Sequence, residues 1–366
     1  MKILYLINYA GGGGTEKYVL DLLDGFTAAG EKCYLAYNIP GLLSEQAAKR
    51  KISSFQFEMK NSYDIKAAKT LCRICSQNKI DIVHAQHTRE LYVACLSKLF
   101  GNKAKIVFTN HLLSKCGKAR KLTNSLLARP LCSNFITVCE KGRELMAQNG
   151  FGTSKTVTVF NGINTHRKDS YNNVRKELGI DDGVFVITAL TRYSPEKGVD
   201  FLIDSINELK KTAKRKFVLL IAGTGDMYDE MGQKIDSLGL NDVIMRLGYR
   251  NDTADLLESS DLFVNLSSTE ALSFAIIEAL SHGLPVVVTN VGGTGDIVNP
   301  QTDCGITVSY GDTSLTAKAI NTLMSDGALY EKYSANALKT AAEKFSVSQM
   351  LEKTYSVYTS LIKNKP

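Results

Sequence analysis

The chain reads as an α/β protein built on two parallel sheets, in two domains. Three observations predict this. Short, continuously apolar runs recur along the chain, and helical stretches separate most of them; parallel strands buried on both faces have this pattern. The rhythm runs twice, once on each side of a single polar break. The length, 366 residues, makes roughly two domains of ~150 residues each.

In order, strands are predicted over 3–7, 33–37, 82–85, 106–109, 135–138 and 157–160, then over 184–190, 217–222, 243–247, 262–266 and 286–289. Between the two sets, 164–173 is polar with little apolar content, which marks an interdomain connection. A short helix over 175–178 leads into the second set. The expected boundaries are a first domain over 1–165, a linker over 166–183, a second domain over 184–345 and a terminal helix over 346–366. That helix is amphipathic, carrying Met350, Leu351, Tyr355, Val357, Tyr358 and Leu361.

Composition narrows the class. An apolar content of 44% suffices for two cores. The net charge of +7 accommodates anionic partners without requiring nucleic acid. Eight cysteines show no paired framework, and Cys72 and Cys75 form a lone C-x-x-C without the second pair a zinc site needs. They read as thiols of a reducing compartment. No apolar run approaches the ~18 residues of a membrane span. The first residues read as a buried strand, not a leader. A cytoplasmic protein is expected.

The stretch from Ser267 to Val288 organises the second half. A strand enters the polar loop Ser267-Ser268-Thr269-Glu270, an apolar helix follows, and Gly283-Leu284-Pro285 stops it. At 3.6 residues per turn, Glu270 is expected at the mouth of that helix and Glu278 just over two turns deeper, on nearly the same face. Upstream, Arg192 and Lys197 flank a Pro-containing turn. Arginine grips a phosphate bidentately and lysine adds a compact charge. Gly223-Thr224-Gly225 forms a glycine-rich turn after a strand, and Leu247-Gly248-Tyr249-Arg250 a further strand-end loop.

In the first half, the opening strand runs into Gly11-Gly12-Gly13-Gly14-Thr15-Glu16 and an amphipathic helix. Such a loop lets backbone approach a ligand closely, and the helix start suits an anion. It is neither a G-x-G-x-x-G nor a Walker A sequence. His84, His87 and His111 fall at or after strand ends, where open α/β sheets place ligands. From Lys115 to Arg129, five cations surround Leu122, Leu126 and Leu127, which reads either as a solvated basic helix face or as a contact for an anionic membrane or lipid-linked phosphates.

Together, in the same order from residue 3 to about 300, these motifs resemble the retaining glycosyltransferases of family 4 (glycosyl transferases group 1), of GT-B architecture. The match includes the glutamate–x7–glutamate element with its Gly-Leu-Pro-Val-Val exit, the Arg192-x4-Lys197-Gly198 turn, the glycine-rich opening and Asn161-Gly162-Ile163-Asn164. Departures are Ala271 and Ser273, where the family often has glycine, Cys139 where it usually has serine, and Asn164 for a common aspartate.

The resemblance implies two Rossmann-like domains facing across a cleft, with the last helix crossing back to the first. A nucleotide-sugar donor, most often UDP-linked, would sit mainly on the second domain and a saccharide or lipid-linked acceptor mainly on the first. Glu270, Arg192, Lys197 and His111 would be catalytic. The donor would also meet Gly12, Gly13, Gly14, Gly223, Arg250, Leu272, Ser273, Phe274 and Glu278, with Glu278 on the ribose. Transfer would retain configuration and give an α-linkage in cell-surface polysaccharide or glycolipid synthesis. No cofactor or metal is expected; association with the inner face of an anionic membrane follows only from the second of the two readings of the Lys115–Arg129 stretch. The alternatives are a partner subunit that binds nucleotide sugar without turnover, or a nucleotide-sugar 2-epimerase of the same architecture.

Overall fold

A computed structural model describes residues 1–164 and 171–363. Residues 165–170, most of the polar run expected to connect the domains, lie outside the described residues. The chain forms two compact units: residues 1–162 together with the segment from Val347 onward, and residues 163–346.

The first unit holds a parallel sheet of β1 (Lys2–Tyr9), β2 (Lys32–Ile39), β3 (Ser53–Gln56), β4 (Ile82–Ala85), β5 (Lys105–Asn110), β6 (Asn134–Thr137) and β7 (Thr156–Thr158), in the order β3-β2-β1-β4-β5-β6-β7. The chain switches direction along the sheet between β1 and β4, so a crevice opens at their carboxyl ends. Helix α1 (Gly14–Ala28) starts there and buries Tyr18, Val19, Leu22, Leu23 and Phe26, one apolar stripe at helical spacing. Helix α2 (Thr88–Leu99) follows β4 and buries residues all round its first turns. The basic stretch forms helix α3 (Lys118–Thr123), continued by a wider π-turn over Asn124–Ala128.

The second unit holds β8 (Phe185–Leu190), β9 (Phe217–Ala222), β10 (Ile244–Gly248), β11 (Leu262–Asn265), β12 (Val286–Thr289) and β13 (Gly305–Val308). All pair in parallel, in the order β10-β9-β8-β11-β12-β13, which is the doubly wound arrangement with its switch point between β8 and β11. Helix α4 (Phe274–Ser281) follows β11.

The final helix, α5 (Val347–Lys363), belongs to the first unit. Tyr358 is buried, its hydroxyl 2.6 Å from Nδ1 of His84, and its ring lies 5.4 Å from that of Phe26.

Three expectations need correction. Two strands, β3 and β13, are present where none was predicted. The strand expected over 157–160 spans Thr156–Thr158. And Glu270 is not on the helix that carries Glu278. The helix begins at Phe274, with Ser273 as its extended N-cap accepting the amide of Ile276. The same-face argument for the two carboxylates therefore fails, and Glu270 is held by a loop.

Candidate active site

In the second unit, the carboxyl ends of β8, β9 and β11 carry the polar residues. Three loops meet there, and backbone contacts fix each against the next. Gly223 N–H donates to the carbonyl of Gly248 at 2.7 Å, Tyr193 N–H to that of Thr224 at 3.0 Å, and Met227 N–H to that of Tyr193 at 3.1 Å. Gly223 has φ +139, and a Cβ there would stand 1.8 Å from the carbonyl oxygen of Thr191. Only glycine permits that approach and that φ.

The loop after β11 is fixed in the same way. The amide of Ser268 donates to the carbonyl of Glu196 at 2.9 Å, Thr289 Oγ1 to that of Ser267 at 2.5 Å, and the amide of Gly293 to that of Glu270 at 3.2 Å. This holds Glu270 against Lys197, whose Nζ lies 2.7 Å from Oε2, with both side chains largely buried. Ser267 Oγ adds a longer contact of 3.5 Å to the same oxygen. Thus a cation and an anion 73 residues apart in sequence are paired at the mouth of the sheet.

Arg192, by contrast, is 74% exposed, with one loose contact of 3.4 Å to Glu196. Glu196 also accepts from the Ser194 hydroxyl at 2.7 Å, which holds its carboxyl below the usual range. Leu272 and Ser273 are buried at the start of α4. This turn carries the positive end of the helix dipole, and the Ser273 side chain already caps the amide of Ile276 at 3.4 Å. Glu278 is half-buried in the second turn of α4.

Arg250 is already engaged. Its guanidinium is bonded to Glu177 at 2.7 and 3.1 Å and to Asp252 at 2.8 and 2.6 Å. These bonds hold its proton more tightly than in a free arginine. The side chain pins the strand-end loop and leaves Tyr249, 80% exposed, at its tip.

In the first unit, Gly12, Gly13 and Gly14 are exposed, and Gly13 caps α1 in an extended conformation. The three histidines part ways. His84 lies inside β4 with both ring nitrogens used, on Tyr358 at 2.6 Å and Thr109 at 2.7 Å, and burial pushes its pKa down to about 3. It is a core residue. His87 caps α2, with its ring 6.1 Å from that of His111. His111 follows β5, packs edge-on against Tyr18 at 4.9 Å, and has Nε2 3.0 Å from the side-chain oxygen of Gln86. Burial and the neighbouring His87 keep it neutral. With Nε2–H donating to Gln86, Nδ1 is left as an acceptor.

Sequence reasoning passed over Gln86, Arg89 and Glu90. Each sits at this crevice, and Glu90 is a fully buried carboxyl at the start of α2. A signal was present: the residues after it, Leu91 to Cys95, are apolar or aromatic all round a helix, so the helix is covered on every side.

Comparison with known proteins places the chain in a family. A family model described as Glycosyltransferase Family 4 matches residues 12–167, and one described as Glycosyl transferases group 1 matches residues 170–340. The chain is 23% identical to N-acetyl-alpha-D-glucosaminyl L-malate synthase of Bacillus anthracis, over 89% of this chain and 86% of that one. It is 22% identical to the UDP-Gal:alpha-D-GlcNAc-diphosphoundecaprenol alpha-1,3-galactosyltransferase of Escherichia coli, over 82% and 81%. The structure of Anabaena HepE in complex with UDP superposes with a TM-score of 0.88 at 22% identity, covering 98% of this chain and 100% of that one. With two parallel-sheet Rossmann-like units and consecutive matches to both models, the chain belongs to the family 4, group 1 glycosyltransferases and is a transferase of the GT-B fold class.

Proposed function

We propose that the protein transfers a sugar from a UDP-sugar, with retention, to a saccharide or lipid-linked acceptor, forming an α-linkage in cell-surface polysaccharide or glycolipid synthesis. The observation that carries this is the Lys197–Glu270 pair, pre-placed at the mouth of the second sheet beside the Gly223 turn and the start of α4. When the bond from the anomeric carbon to the nucleoside diphosphate breaks, negative charge grows on the distal phosphate. A fixed cation aimed there lowers the barrier. Lys197 meets that charge, Arg192 swings onto it from solvent, and the α4 amides assist. Glu270 holds Lys197 in place and accepts hydrogen bonds from sugar hydroxyls, while Glu278 takes the ribose. Arg250 acts through the loop it pins.

UDP is favoured because HepE is seen with UDP and the E. coli relative is named for UDP-Gal. A lipid-linked acceptor is supported by that same name. In this reading the first unit carries the acceptor, with neutral His111 offering Nδ1 to a sugar hydroxyl and the exposed Gly12–Gly14 turn open to close approach by an anionic group. The cations do the work that a D-x-D-held metal does elsewhere, so no divalent ion is required.

The protein works at the inner face of the membrane. Lys115, Lys118, Arg120, Lys121 and Arg129 are all exposed, and Leu112, Leu122 and Leu126 stand 60–69% exposed among them. In this reading attachment is by this surface; among the described residues, no helix is long and apolar enough to cross a membrane. Vesicles containing phosphatidylglycerol should sediment the protein and lose it in salt. Equal sedimentation with phosphatidylcholine alone would remove the membrane part.

A thermal-shift series with UDP-, GDP- and ADP-sugars tests the whole reading. A ligand at 100 times its Kd adds ~2.7 kcal/mol of stability. A shift with UDP-sugars and not the others is expected; the absence of any shift would sink it.

A further inference from the structure

Glu90 lies in the first turn of α2, fully buried. Its Oε1 accepts the amide N–H of Asn8, near the end of β1, while Oε2 is buried without a partner. An unpaired buried carboxyl oxygen costs stability, and glutamine or leucine at this position would avoid the ionisable group altogether.

Asn8 is a crossing point. Its side-chain oxygen accepts from Nδ2 of Asn38, at the end of β2, and from a terminal nitrogen of Arg89, each at 3.0 Å. Both donors also reach the carbonyl of Met59, at 3.2 and 3.3 Å. The ends of β1 and β2, the segment at Met59 and the start of α2 are therefore tied together three residues before Gly11, where the glycine turn leaves the sheet.

We propose that Glu90 is a positioning residue for the glycine turn, and that its proton decides the state of the tie. With the proton on, Arg89 stays on Asn8 and Met59 and the turn is set. With the proton released to solvent, the buried carboxylate draws Arg89 toward Oε2, and Asn8 and Met59 lose a donor. The surroundings make the exchange accessible near neutrality. Burial raises the carboxyl to about 7, against the amides of Glu90 and Asn8 and the charge of Arg89. Arg89, on the same helix, is the charged group acting on it among the described residues. β1 contributes the Asn8 amide, and Asn38 and Met59 contribute only uncharged groups. The proposal rests on the reading that the glycine turn belongs to the transferase site, and it gives that site a proton-dependent setting.

Hydrogen exchange of the full chain, followed by mass spectrometry over residues 8–16 at about pH 6 and about pH 8, tests it once intrinsic pH effects are removed. The protonated fraction changes ~tenfold across that interval, so wild type should lose protection by a similar factor. Glu90→Gln keeps an acceptor for the Asn8 amide and stays neutral; it should remain protected at both values. Glu90→Ala should be unprotected at both. Peptides over 223–227 should not change in any variant. Wild-type protection equal at the two values, or Glu90→Gln following wild type, overturns the proposal. A thermal shift with UDP in the same samples separates the two readings. If UDP binds and the turn ignores pH, the Glu90 proposal alone falls; if UDP does not bind, the transferase reading falls and the exchange result stands by itself.

Discussion

The glycine turns after β1 and after β9 look alike in sequence, yet the fold asks different things of them. At 223 and 225 the backbone sits at φ +139 and +156, and added Cβ atoms would stand 1.8 Å and 2.5 Å from the carbonyl oxygens of Thr191 and Tyr193. These glycines are required by the chain itself, because two loops cross there. None of the glycines from 11 to 14 has a positive φ. A Cβ at Gly12 would meet the end of the Leu42 side chain at 3.2 Å, and one at Gly13 the Glu16 carboxylate at 2.9 Å, both flexible groups. Nothing internal compels glycine at 12 or 13. If it is needed, the reason lies in what the turn must approach.

Substitutions can break that contrast, and the largest effect is expected at Gly223. Gly223→Ala forces apart two backbones and should cost about 4 kcal/mol or more in denaturant unfolding, with donor binding lost as well. A variant as stable as wild type would show that the crossing of loops is not rigid.

Next comes the pair that this crossing supports. Lys197→Ala and Glu270→Gln should each lower turnover by roughly 10²–10³, the range for loss of one pre-placed group, ~2.7–4 kcal/mol. Because Lys197 and Glu270 touch, the double variant should lose less than the product of the two. Nucleotide binding should survive Glu270→Gln and weaken in Glu278→Gln. Simple multiplication in the double variant would mean that the observed pair does not act as a unit.

The first unit supplies a pH effect of similar or smaller size. Glu90 has a folded pKa of about 7 against 4.5 for the free group. The folded state therefore holds the proton more tightly, and the stability this contributes is complete below about 4.5. It is lost as pH rises toward 7 and stays lost above, in all roughly 3 kcal/mol. Glu90→Gln should remove that slope from unfolding measurements across the window. A slope unchanged by the substitution would assign it to other groups.

The smallest stability effect is the sharpest for the comparison. Gly12→Ala should move unfolding by no more than ~0.5 kcal/mol while lowering turnover. If activity is also untouched, the turn after β1 is only a turn.

How much of this was readable depends on what burial writes into a sequence. The strands buried on both faces announce themselves as apolar runs, as in Phe217–Ala222 and Val286–Thr289. β3 is Ser-Ser-Phe-Gln at the sheet edge, largely exposed, and has no apolar run to show. The start of α4 was misplaced because Ala271 and Leu272 suit a helix, while the actual boundary is set by the Ser273 cap, a tertiary choice of backbone angle. Arg192 and Lys197 were legible as a turn with two cations, but not that Lys197 is tightly paired and buried while Arg192 stays exposed with one loose contact. That distinction comes from the loop after β11, some 70 residues away. His84 and His111 look equivalent in sequence; the hydroxyls of Tyr358 and Thr109 make one of them structural, and neither is a local neighbour.

The placement of α5 has a consequence for how the polypeptide matures on the ribosome. The unit of residues 163–346 is one continuous segment, so all its parts are available together as it emerges. The unit of residues 1–162 is not: Tyr358 closes over His84, Tyr355 reaches Glu31 at 3.1 Å, and Leu351 fills the space above Gly25. Its completion waits for residues translated after the whole other unit, at ≈ 5–20 residues per second. For ~10 s or more the nascent first unit carries Phe26 and Tyr18 with their cover missing, a window in which chaperones are the available partners. A stop codon after residue 346 would therefore do its damage at the opposite end of the gene product, leaving the late-made unit whole and the early-made one unfinished.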